Sequence, residues 1–132
     1  MNYREIIKNT FINDKNILAV VLYGSMVHDK EPGAFKQDSD IDLAFLPIGK
    51  NIDKLAIYKQ LRTIDRNIDV VNLRRINPTL GMQIIKDQEI LLMKAPDAWD
   101  AWKTQALTQY HDLQISNRNI IKDLGNYSPL QT

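Results

Sequence analysis

The stretch Leu22–Asp42, LYGSMVHDKEPGAFKQDSDID, decides how the chain is read. It closes an apolar run, turns at Gly24-Ser25, crosses the fourteen residues 26–39 and resumes an apolar pattern around Asp40 and Asp42. Upstream, Ile17–Tyr23 (ILAVVLY) is continuous, rich in β-branched residues and stopped by glycine, as expected of a buried strand. Downstream, Ile41–Ile48 (IDLAFLPI) alternates, so that Asp40, Asp42 and Ala44 leave one face and Ile41, Leu43 and Phe45 the other. Two strands are thus predicted, joined by a Gly-Ser turn, a short turn of helix and a loop carrying Pro32 and Gly33. Two carboxylates stand together at the start of the second strand.

Working outward, Ile6, Ile7, Phe11 and Ile12 recur at helical spacing before the first strand. After the second, Asn51 is expected to cap a helix with Ile52, Leu55, Ala56, Leu61 and Ile64 on its buried side. Ile68–Leu73 (IDVVNL) reads as a third strand, with Asp69, Val71 and Leu73 on one face. Asn77-Pro78 opens a helix through about Lys86, because asparagine caps and proline suits the first helical position. Glu89–Lys94 follows as an edge strand. Residues 97–125 then form a long amphipathic helix carrying Trp99, Trp102, Ala106, Tyr110, Leu113, Ile120 and Leu124. The expected fold class is α+β, a small mixed β-sheet flanked by helices with a long C-terminal helix, in one domain over residues 1–132.

Composition narrows the function. With 44% apolar and 25% charged residues the chain suits a folded domain, and a net charge of +1 supplies no broad field for gripping nucleic acid. The absence of cysteine excludes disulfides and thiolate metal sites and fits a cytoplasmic location. The opening residues are too polar for a signal-peptide core, and no apolar run approaches the roughly 20 residues of a membrane span.

The acid is the chemical signal. Asp40 and Asp42 lie about 7 Å apart along one strand face, and like charges this close repel unless cations neutralise them. Hard carboxylate oxygens select Mg²⁺, with Mn²⁺ as the alternative. If the Asp69 strand pairs alongside, a third carboxylate completes a cluster suited to two-metal phosphoryl or nucleotidyl transfer, with Asp69 placed to take a proton from the attacking hydroxyl. Gly24 lets backbone approach a phosphate, and Ser25 adds a hydroxyl and an N–H at a helix start. A Gly-Ser turn alone, or an Asp-Ser-Asp alone, is ordinary loop composition; their order, each backed by an apolar strand, is what carries the reading.

LYGS, DSDIDLAFL and the later IDVV resemble the minimal nucleotidyltransferases of the DNA polymerase β-like superfamily. IDVVNLRRINPTLGMQIIKDQEILLM and YHDL extend the resemblance over nearly the whole chain, to the MntA antitoxins of HEPN/MNT toxin-antitoxin pairs. The resemblance implies a polymerase β-like fold. It also implies an ATP- and Mg²⁺-dependent protein adenylyltransferase that places AMP on a tyrosine of a cognate HEPN-family (HepT-like) ribonuclease toxin and assembles with it as a hetero-oligomer. By that resemblance Gly24 and Ser25 contact the triphosphate, Asp40 and Asp42 hold metal, and Asp69 holds metal and acts as base. This chain departs from the family in its spacer of fourteen residues, longer than is common, and in His28, which stands where relatives often carry arginine. Asp38 reads as loop or support for the pair.

Other residues carry weaker signals. His28 and Lys36 could reach phosphates from the loop; His111 reads as structural or surface, and Arg74 and Arg75 as flanking the sheet. The Trp99, Trp102, Tyr110, Leu113 stripe suits core packing, yet the helix is longer than so small a sheet requires, so one end is expected to project and meet another chain. Two alternative functions remain at this point: a catalytically dispensable antitoxin that inhibits by steric binding, and a nucleotidyltransferase acting on a small hydroxyl compound.

Overall fold

A computed structural model describes residues 2–27 and 40–125. The elements are α1 (Tyr3–Phe11), β1 (Ile17–Tyr23), a 3₁₀ turn (Gly24–Met26), β2 (Ile41–Pro47), α2 (Lys54–Gln60), β3 (Ile68–Asn72), α3 (Pro78–Lys86), β4 (Gln88–Met93) and α4 (Pro96–Gly125). The order matches the one expected from the apolar periods. His28, Lys36 and Asp38 lie outside the described residues.

The strands form one mixed sheet in the order β3-β2-β1-β4. β1 is antiparallel to both β2 and β4, while β2 and β3 run parallel. A parallel pair needs a crossover, and α2 supplies it. The continuous apolar reading of β1 is explained by its central place, since both of its faces are covered. On one face α1 and α2 bring Ile7, Phe11, Ile57 and Leu61 onto Val20, Leu22, Leu43, Phe45 and Val70. The Phe11 and Phe45 rings meet edge to face, with centroids 4.9 Å apart.

The other face is built around two tryptophans. Ile84 of α3 and Trp99, Trp102 and Ala106 of α4 pack with Ala19, Val21, Ala44, Leu46 and Leu73. The small side chains Ala19 and Ala44 leave volume on this face for the indoles, which stack with centroids 5.1 Å apart. The Trp102 indole N–H donates to the carbonyl of Leu73 at 2.7 Å, so its polar edge is satisfied inside the core.

Helix starts follow the expected chemistry with one correction. Asn77 caps α3 through Leu80 N–H, with Pro78 next in line, as expected. For α2, however, Asp53 and not Asn51 is the cap, accepting from Ala56 N–H at 3.1 Å. Asn51 is engaged elsewhere, since its side-chain oxygen accepts from the Arg75 guanidinium at 2.8 and 3.1 Å. Starting the helix two residues later turns Leu55 outward, 65% exposed, and buries Ile57.

α4 is unbroken over its 30 residues, about 45 Å of helix against strands of roughly 17–23 Å. Among the described side chains its last buried residue is Ala106; Tyr110 and Leu113 are half-buried, and Leu107 and Ile115 are exposed. The projection expected from length is therefore present. Ile120 and Leu124 lie outside the described side chains. Among the described residues no helix is long and apolar enough to cross a membrane.

Candidate active site

The strand register determines where the acid goes. Asp42 of β2 is the Cα partner of Tyr23 on β1 and of Asp69 on β3, and Tyr23 is in turn the partner of Gln88 on β4. A row Asp69–Asp42–Tyr23–Gln88 thus crosses the sheet at one level. Strand alternation fixes its face: Asp42 is two residues from Ala44 and four from Leu46, both in the tryptophan core, and Asp69 is two residues from Val71, packed against that core. The same face is dry under α3 and α4 and opens at the carboxylate end, where Asp42 is half-buried and Asp69 exposed.

Asp40 precedes β2 and is exposed. It is near enough for its charge to act on Asp42, whose carboxyl is pushed above the ordinary value by burial, then by Asp69, then by Asp40. Asp42 thus feels both of the other acids predicted to act with it. No three His, Asp or Glu side chains among the described residues converge tightly enough to enclose an ion as they stand. The pairing of Asp42 with Asp69 is direct, whereas Asp40 reaches the group from the strand's entry.

Gly24 explains why a glycine must stand at the end of β1. Its φ is +79°, the left-handed region, and a Cβ there would overlap Oδ2 of Asp42. The turn backbone therefore lies directly against the carboxylate. Ser25 follows, exposed on the 3₁₀ turn, and Met26 and Val27 then dive into the α1/α2 core. Val27 N–H donates to Gly24 carbonyl at 3.3 Å and closes the turn. The turn thus brings Gly24 backbone against Asp42, with the exposed Ser25 next in the chain.

Tyr23 is the residue that the sequence reading missed. Burial, followed by the charges of Asp42, Asp69 and Tyr58, pushes its phenol up to about 12, so the hydroxyl keeps its proton and remains a donor beside the acids. The Ala19, Val21, Tyr23 alternation places it on one face with the alanine, but only the register shows that the aspartates share that face. Tyr58 of α2 accepts from the Val70 N–H at 3.1 Å, capping the edge strand next to Asp69. Arg74 donates to Pro47 carbonyl at 2.8 Å and Arg75 is held by Asn51, so both flank the sheet, as the sequence reading placed them, at the end away from the acids. His111 is exposed on α4.

A mixed four-stranded sheet with a glycine turn laid against paired strand aspartates is the architecture of polymerase β-like nucleotidyltransferases. The family model described as "Polymerase beta, Nucleotidyltransferase" matches residues 5–97, and the chain belongs to that family. Solved structures agree in fold. A toxin-antitoxin structure with AMP-PNP aligns at a TM-score of 0.70 and 24% identity, covering 94% of this chain and 98% of that one. The toxin-antitoxin MntA-HepT aligns at 0.67 and 22%, covering 92% and 96%. A tri-AMPylated Shewanella oneidensis HEPN toxin in complex with MNT antitoxin aligns at 0.65 and 22%, covering 92% and 98%. No curated protein matches the chain.

Proposed function

We propose that the 132 residues act as one minimal nucleotidyltransferase domain, an antitoxin that transfers AMP from ATP to a tyrosine of a HEPN-family toxin with which it forms a hetero-oligomer. The observation that carries this reading is the pairing of Asp42 with Asp69 beneath the Gly24 turn. The fold likeness to antitoxins solved with toxins, with AMP-PNP and with AMPylated toxin supports the choice of donor and acceptor.

In this reading the Gly24-Ser25 turn receives the triphosphate through backbone N–H and the Ser25 hydroxyl. The donor set fits a hard divalent cation: Asp40, Asp42 and Asp69 offer only carboxylate oxygens, and the missing Cβ of Gly24 lets Asp42 lie against the phosphate turn. These three residues would hold Mg²⁺, which when bound polarises the phosphate oxygens and acidifies the attacking hydroxyl. Asp69, the most exposed partner of the pair, takes the proton from the incoming tyrosine. The tyrosine oxygen bonds to the α-phosphorus, the bond from that phosphorus to the α–β bridging oxygen breaks, and pyrophosphate leaves. Tyr23 stands beside Asp42 in the third position of the row and keeps its proton.

A second reading, steric inhibition of the same partner, draws on α4, which runs beyond the core with Leu107 and Ile115 exposed. Labelled ATP, Mg²⁺ and the product of the adjacent gene, read by intact mass, separate the two. A gain in AMP units that disappears in Asp42→Asn supports the enzyme; full neutralisation of the partner by that variant, without mass gain, supports the steric antitoxin.

A further inference from the structure

Three segments far apart in sequence meet at Arg4. Its Nε donates to both oxygens of Glu89 on β4, at 2.9 and 3.2 Å, while Nη2 donates to the carbonyl of Met26 at 3.1 Å. Both side chains of the ion pair are mostly shielded, at 22% and 29% relative exposure. A second guanidinium, from Arg66 just before β3, brings Nη2 to 3.7 Å from the Met26 sulfur. Met26 is the last residue of the Gly24–Met26 turn and is fully buried.

The geometry assigns Arg4 as a positioning residue for the phosphate-binding turn, through Met26 and with Glu89 as its anchor. The face it works from supports this. Glu89 pairs with Leu22, whose side chain lies in the α1/α2 core, so Arg4 and Glu89 sit on the face opposite Asp42 and Asp69. Arg4 thus approaches the turn from behind and holds it by its C-terminal carbonyl, while the front of the turn faces the carboxylates. Its charge is matched by Glu89 at 2.9 Å. A guanidinium suits the position because its planar fork donates to the carboxylate with one nitrogen and to the carbonyl with another, whereas an ammonium has all its donors on one nitrogen. The assignment rests on the function proposed above for the site, but the clamp itself can be read without nucleotide.

The test compares Arg4→Lys and Glu89→Gln with the unaltered full chain. Hydrogen exchange of the Ser25–Val27 amides in the nucleotide-free protein reads the clamp, and calorimetric titration with AMP-PNP and Mg²⁺ reads its consequence. Arg4→Lys keeps the charge next to Glu89 and leaves the melting temperature close to that of the parent. It makes the turn amides exchange about tenfold faster, and AMP-PNP binding falls by about tenfold. If the amides and the affinity are both unchanged in Arg4→Lys, Arg4 merely ties α1 to β4 and the assignment is overturned. Should the unaltered chain bind no nucleotide, the function proposed for the site fails, and the exchange of Ser25–Val27 still decides whether Arg4 holds the turn.

Discussion

Asp42 and Asp69 are Cα partners in the parallel β2–β3 ladder, so their carboxylates leave the same face at the same level. Burial and the Asp69 charge beside it raise the cost of ionising Asp42. Folding places them together although nothing in the isolated chain requires it, and this tension makes their removal a two-sided experiment.

Asp42→Asn should lower AMP transfer by at least about a hundredfold, the scale of losing a group that stabilises transition-state charge. It should also raise the melting temperature of the nucleotide-free chain at neutral pH. The sign follows from linkage: a carboxyl whose folded value is raised penalises the folded state above its ordinary range, and the penalty disappears as pH falls below that range. Melting curves of parent and variant should therefore separate at neutral pH and merge in acid. Curves that stay together at every pH would contradict the crowding of Asp42 by its neighbours.

Gly24→Ala tests the turn. At a φ of +79° an L-residue costs about 1–2 kcal/mol, and its Cβ must in addition displace the Asp42 carboxylate. Urea unfolding should show a loss of that size or more, with transfer activity falling further than stability does.

Gly81→Ala tests the opposite case. Its Cβ would find Ala106 Cβ at 3.6 Å, Ile76 Cδ1 at 3.7 Å and Trp102 Cζ2 at 4.0 Å, all ordinary contacts. Gly81 lies inside α3, where alanine is favoured over glycine by about 0.5–1 kcal/mol. The midpoint in urea should rise, and activity should not change.

Trp102→Phe removes the indole donor from the Leu73 carbonyl and leaves that buried acceptor unpaired. A loss of about 1–3 kcal/mol is expected from the carbonyl alone. AMP-PNP affinity, measured well below the midpoint, should hold, because Trp102 sits at the covered end of the face.

Tyr23 supplies a pH test. Its phenol is raised to about 12 while an unfolded tyrosine titrates near 10.0, so the unfolded chain releases a proton that the folded chain keeps. Stability should therefore decline between pH 10 and 12, and Tyr23→Phe should flatten that decline. A variant whose decline matches the parent's would show that other groups cause it.

Much of the fold was legible because local rules act locally. The apolar run at Ile17–Tyr23, the alternation at Ile41–Ile48, the Asn77-Pro78 start and the extent of α4 depend on residues within a few positions of one another, and each element formed where its pattern stands. The placement of Asp40, Asp42, Asp69, Gly24 and Ser25 at the ends of those strands was legible for the same reason. The start of α2 was misread because two capping residues compete there. A contact with Arg75, 24 residues away, takes Asn51 and leaves Asp53 to cap.

The sequence by itself determined the strands, the spacing of Asp40 and Asp42 and the Gly-Ser turn that ends the first strand. Tertiary structure alone decided that β3 lies beside β2 in a register that sets Asp69 against Asp42, that Tyr23 joins their row, and that Arg4 and Glu89 meet behind the turn. The physical reason is that strand order and register are set by which apolar faces bury together across the whole chain, and no window of sequence contains both partners of such a contact.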